Sequence, residues 1–227
     1  VSSGGLQVVS NGGFAVGADI EGGSQQIASG GLAVSTTVAS GGVQQIASGG
    51  SAVSAQILDS GLQSVGSGGV ASATTVAGGG TQTIASGGSA LQTLIGSGGN
   101  QIANGGALVT SAQLLSGGTQ TLQSGAVANA VTVSGGATQM VALGASAYAT
   151  ELYGTQTILH DGLASGTIVY SGGLQGVISE GVVSGTVISS GGVQSVTSQG
   201  DAFATIVGGG GMQSVTSQGE AQGTIVL

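Results

Sequence analysis

The sequence predicts an all-β parallel β-helix, a β-solenoid of about twelve rungs of about 19 residues each. Three observations predict it: a unit that returns at a fixed spacing, short β-branched runs bounded by glycine, and an apolar position kept in register along the chain. The unit is clearest from Gly41 to Asp59, GGVQQIASGGSAVSAQILD, after which Ser60 begins it again.

The period can be counted on the glutamine that follows the first glycine pair. Gln7, Gln25, Gln44, Gln63, Gln82, Gln101, Gln120, Gln139, Gln156, Gln175, Gln194 and Gln213 are 19 residues apart, with one step of 18 and one of 17. A glycine series, including Gly30, Gly49, Gly68 and Gly87, keeps the same spacing. The apolar series runs Val38, Ile57, Val76, Ile95, Leu114, Val133, Leu152, then Ile168, Val187, Ile206 and Ile225, with a step of 16 at Leu152–Ile168.

Each unit holds β-prone runs such as Thr81–Ala85 and Ala71–Ala77. Glycine and β-branched residues are both poor in helix interiors, so strands are expected. Nineteen residues cannot make a free-standing sheet, but they can make one closed coil of two or three short strands. Twelve such coils stacked roughly 4.8 Å apart would form a rod roughly 55 to 60 Å long, with the apolar series as an inner column and glycines at the corners. One solenoid over residues 1–227 is expected, with irregular rungs at 134–156, where an insertion at Gly135–Gln139 is followed by a contracted unit.

Gln82 lies two residues before Ile84, so both side chains share a face of an extended strand. The column Gln44, Gln63, Gln82 and Gln120 then either forms a side-chain amide ladder from rung to rung or stands at a solvated corner beside the glycine pair. Tyr148, Tyr153 and Tyr170 fall in or near the irregular region and form a candidate contact cluster, with repeat drift as the plainer explanation.

Composition narrows the function. The chain has no Lys or Arg, eight acidic residues and a formal net charge of −8. Nucleic-acid binding by counterion release and polybasic attachment to anionic lipid both need cations, so no nucleic-acid partner is expected. No apolar run of about 18 residues is present, which argues against direct membrane insertion by this segment. Cysteine and proline are absent, so no disulfide or thiolate-held metal is available.

Catalytic patterns are also missing. Glycoside cleavage usually needs two carboxylates about one bond, and the acids here are mostly one per unit. Asp201 and Glu220, one period apart, are expected to stack as exposed loop carboxylates. His160 and Asp161 are adjacent, so in a strand their side chains would face opposite ways, and a turn is expected. One histidine cannot supply a zinc site, and Gly208–Ser214 lacks the recurring Asp of calcium-binding nonapeptides. Thr-x-Thr at Thr81/Thr83, Thr119/Thr121 and Thr155/Thr157 recurs on alternate rungs, too sparsely for a flat threonine plane. No enzyme activity and no cofactor are expected.

The unit S-G-G-x-Q-x-[VI]-x-S-G-G-x-A-x-x-T-x-[VI], best seen at Ser40–Gly50 and Gly79–Gly88, resembles the passenger repeat of AIDA-type self-associating autotransporter adhesins of Gram-negative bacteria. The resemblance covers essentially the whole chain. It implies a right-handed parallel β-helix that is secreted or held at the cell surface through an outer-membrane β-barrel absent here, where it mediates self-association, biofilm formation or adhesion to a host or cell-surface ligand. It also implies O-heptosylation by a protein O-heptosyltransferase. Ser29, Ser48, Ser67 and Ser86, before the mid-unit glycine pair, would be the acceptors, or else residues that cap a turn. The second half loses that glycine pair, as at Gln199–Asp201 and Gln218–Glu220, which weakens the carry-over there. A different reading is an extracellular filament subunit polymerising end to end through uncapped terminal rungs.

Overall fold

The computed structural model describes residues 1–227. Thirty-six strands, three per rung over twelve rungs, assemble into three parallel sheets of twelve strands each. In rung 4 the strands are Leu62–Val65, Val70–Ser72 and Thr75–Val76. The first, second and third strands of every rung build the first, second and third sheets.

Alternation explains which side chains go in. In Leu62–Val65 the second and fourth residues, Gln63 and Val65, are buried and the other two look outward. The three-residue strands bury only their middle residue, an alanine in Leu32–Val34, Ser51–Val53 and Val70–Ser72. Small residues line the second sheet, while Ile, Leu and Val from the first and third sheets fill the remaining space. Burying each of those aliphatic side chains contributes about 1.5–3 kcal/mol relative to exposure.

Corners are set by backbone chemistry. Between the first and second strands of rung 2, Ala28–Gly31 closes a tight turn in which the Gly31 N–H donates to the Ala28 carbonyl at 2.9 Å, with Gly30 at φ +72. A single left-handed residue, such as Ser35 or Ser54 at φ 55, bends the chain between the second and third strands. The next corner needs close approach: a Cβ at Gly61 would sit 2.1 Å from the Val38 carbonyl oxygen one rung earlier.

The apolar series is corrected in its last part. Leu152 pairs with Val169, and Val169, Ile188 and Val207 are buried, whereas Ile168, Val187 and Ile206 pair with Glu151 and one another on the outer face. The step from Leu152 is therefore 169 − 152 = 17 residues, matching the 17 between Gln139 and Gln156. Each Ile-Val or Val-Ile pair offers two equally β-prone neighbours, and only the register decides which enters the core.

No extra residue enters at Gly135–Gln139: Gln120 and Gln139 are in register and 19 apart, and Ser134–Ala137 is an ordinary turn. The irregularity is a shortened corner. Four residues, Leu115–Gly118, separate Leu114 from Thr119, but only Tyr153 and Gly154 separate Leu152 from Thr155.

Ile188→Ala is expected to lower stability by about 2–5 kcal/mol by opening a core cavity. Val187→Ala, facing out on the same strand, should change it by less than about 0.5 kcal/mol. Equal losses in chemical denaturation would contradict this register.

Candidate functional site

The structure places Gln44, Gln63, Gln82 and Gln120 inside the rod, each essentially inaccessible to solvent. From Gln25 to Gln213 every side-chain Nε2 donates to the Oε1 of the glutamine one rung earlier, at 2.5–2.8 Å. The ladder runs unbroken through the shortened rung, where Gln156 donates to Gln139 at 2.7 Å. No buried side-chain nitrogen or oxygen lacks a partner. A buried amide without one costs about 1–3 kcal/mol, so this column is tolerable only as a column.

A second polar column had no advance signal beyond the T in the repeat pattern. Thr36, Thr74, Thr93, Thr167, Thr186 and Thr205 are buried, and each Oγ1 donates to the glutamine Oε1 of its own rung at 3.1–3.3 Å. In Thr150 the relation is reversed, its Oγ1 accepting from Gln156 Nε2 at 3.3 Å. Where alanine or valine stands instead, as at Ala55, Ala112 and Val131, the core is wholly apolar beside the ladder. These interior groups hold the rod together, and anything that meets another molecule must lie on its corners and outer faces.

Ser29, Ser48, Ser67 and Ser86 stand exposed at one corner, directly above one another. A Cβ at Gly49 would meet Ser29 Oγ at 2.9 Å, and the same distance separates Gly68 from Ser48 Oγ and Gly87 from Ser67 Oγ. Glycine beneath each serine leaves its hydroxyl uncovered. The column resumes at Ser124, Ser179, Ser198 and Ser217, which occupy the same turn position with positive φ where the mid-unit glycine pair is lost. His160 holds that position in rung 9, at φ 51, with Asp161 next in the turn. Toward that end the corner flanks an open groove of about 570 Å³ that includes His160, Glu180 and Gln199.

The three tyrosines separate. Tyr153 and Tyr170 stack with ring centroids 4.5 Å apart and planes within 5°, because each directly follows one of the register partners Leu152 and Val169 on successive rungs. Tyr148 looks outward from the second sheet instead. Loss of solvent around the stacked ring, then repulsion from Tyr170 and Glu151, raises the Tyr153 phenol above its ordinary value. Asp201 and Glu220 are register partners on the second sheet. No three His, Cys, Asp or Glu side chains converge, and no helix is long and apolar enough to cross a membrane.

Along its whole length this rod coincides with a solved one. A hyper-glycosylated fragment of TibA, residues 55–350, with glycosylation catalysed by TibC, superposes with a TM-score of 0.79 at 36% identity, over 98% of this chain and 89% of the other. The chain belongs to the AIDA-type autotransporter adhesin passengers. No protein-family model and no curated protein matches it. Within this passenger, then, the interior ladder is architecture, and the serine corner and the outer sheet faces are the surfaces open to chemistry.

Gln120→Leu should cost about 2–5 kcal/mol, since it leaves Gln101 Oε1, whose own rung carries Ala112, without a donor and Gln139 Nε2 without its acceptor. Thr93→Val, which leaves Gln82 Oε1 its bond from Gln101, should cost only about 0.5–1.5 kcal/mol. Denaturation of both variants checks the order. In a Tyr148→Phe background, the phenolate absorbance titration should show Tyr153 ionising above pH 10. Adding Tyr170→Phe should lower that midpoint.

Proposed function

We propose that this passenger is a cell-surface adhesive rod that self-associates in autoaggregation and biofilm formation, and that its corner serines carry O-linked heptose added by a protein O-heptosyltransferase. The observation that carries the reading is the exposed serine column, in a chain that is 36% identical over 98% of its length to a hyper-glycosylated passenger fragment. A glycosyltransferase needs a hydroxyl it can reach without unfolding the acceptor. Ser29, Ser48, Ser67 and Ser86 offer that, each at a turn over a glycine. Spacing of about 4.8 Å between rungs sets the acceptors close together, so a modified corner becomes a continuous polar ridge.

The composition is compatible with that role. A rod with no cation and a charge of −8 has little long-range attraction for acidic partners, so contact has to come from short-range complementarity of its faces. The proposed partners are another copy or a surface ligand.

Co-expression with an O-heptosyltransferase is expected to raise the intact mass above 20.9 kDa in whole heptose increments. Replacing Ser29, Ser48, Ser67 and Ser86 together by alanine should remove at least four of them. An unchanged mass, or sugar found only away from the corners, counts against the assignment. Electron microscopy of the unmodified chain should show side-by-side rods, and long single-width fibres would favour end-to-end polymerisation instead.

A further inference from the structure

Tyr153 and Tyr170 form the one stacked aromatic pair of the rod, and their setting isolates them as a pair. Each directly follows the last residue of a third strand, Leu152 and Val169, and those two residues are register partners. At the same position one rung earlier stands Ser134, after Val133, and one rung later Ser189, after Ile188. Serine cannot continue a stack, so each ring has a single aromatic neighbour along the rod, the other. Tyr148 lies on the second sheet with Asn129 and Ser165 as its register partners, neither of them aromatic.

The backbone enforces the contact. Tyr153 N–H donates to the Val133 carbonyl at 2.8 Å and Tyr170 N–H to the Leu152 carbonyl at 2.9 Å, which holds both residues in the ladder. Rungs at strand spacing, about 4.8 Å, then carry that spacing out to the side chains. The ring centroids lie 4.5 Å apart with planes within 5°. Both side chains leave the same corner one rung apart, so like carbons of the two rings lie near one another. Tyr153 is 40% exposed and Tyr170 half-buried, so the pair can be reached from solvent.

We propose that this pair is a site of oxidative cross-linking, at which peroxide acting through a haem peroxidase joins Tyr153 to Tyr170 as dityrosine and staples two successive rungs. Each phenol loses its hydroxyl hydrogen as one electron and one proton. The two radicals couple by a carbon–carbon bond between positions ortho to oxygen, and the hydrogens on those carbons move to the oxygens, restoring both phenols. Hydrogen peroxide takes up the two electrons and two protons and leaves as two waters. Rings already in contact couple within one chain, whereas a radical on Tyr148 has to find a second molecule.

Position gives the bond its consequence. It ties the corner where only Tyr153 and Gly154 join two rungs to the corner that follows. A covalent link of this kind restricts the unfolded chain as a disulfide does, in a protein that has no cysteine to make one.

The test is treatment of the full chain with hydrogen peroxide and a haem peroxidase, followed by separation of monomer from cross-linked oligomers. The monomer is expected to gain dityrosine fluorescence, to lose two hydrogens in mass, and to keep the same yield on dilution. Oxygen added at Met140 or Met212 raises the mass instead and is told apart on that ground. Tyr153→Phe and Tyr170→Phe should each abolish the monomer signal, and Tyr148→Phe should leave it. Dityrosine that is absent from the monomer, or that survives there in Tyr170→Phe, overturns the assignment. Chemical denaturation checks the staple. Treatment should raise the parent's midpoint relative to its effect on Tyr170→Phe, which undergoes the same methionine oxidation without the cross-link, and an equal effect on both overturns the stapling role.

Discussion

No rung of this rod is stable alone, and that single constraint organises the rest. Nineteen residues bent into a coil expose a row of backbone donors and acceptors on each side, and only a neighbouring coil at strand spacing can satisfy them. Once coils stack in register, every position becomes a column. A column magnifies whatever residue it repeats, so a favourable choice is gained twelve times and an unsatisfied one would be suffered twelve times.

The glutamine column shows this most clearly. A lone buried glutamine is a liability, yet here each amide is donor to one rung and acceptor from the next. Threonine hydroxyls at the corner before the third strand supply further donors, except Thr150, which accepts from Gln156 instead. Interior polarity of this kind also opposes slippage, because a shift of one residue would drive the amides outward and strand their partners. The shortened corner at Tyr153–Gly154 is instructive: two residues are lost from the turn, and the ladder passes through undisturbed. Length changes are absorbed at corners because strand register is what the columns protect.

With the interior so constrained, the outside is where the rod can vary. The three faces differ in composition on one backbone: threonine recurs on the first sheet, the second mixes Val and Leu with Ser, and the third carries Asp19, Glu21 and Glu151 and, further along, Ile168, Val187 and Ile206. The serine corner adds hydroxyls that are exposed because glycine lies beneath them. A passenger built this way presents faces and edges many rungs long.

Much of the fold was readable from the chain. The recurrence of Gln44, Gln63 and Gln82 established the period, the rung count and the columns, because a fixed spacing can have only one meaning when strands must stack. The glycine pairs marked corners where a left-handed residue such as Gly30 is followed by one packed against the neighbouring rung, such as Gly31, whereas the corner at Ser35 or Ser54 turns on a non-glycine and carried no such mark. Other features were decided in three dimensions. Whether Ile168 or Val169 turns inward depends on strand register, as both are β-branched and equally suited to a strand. The stacking of Tyr153 on Tyr170, and the separation of Tyr148 from them, follow from which sheet each leaves. The make-up of each outer face was hidden for the same reason. Its residues lie a full rung apart in sequence, and only coiling the chain brings them side by side.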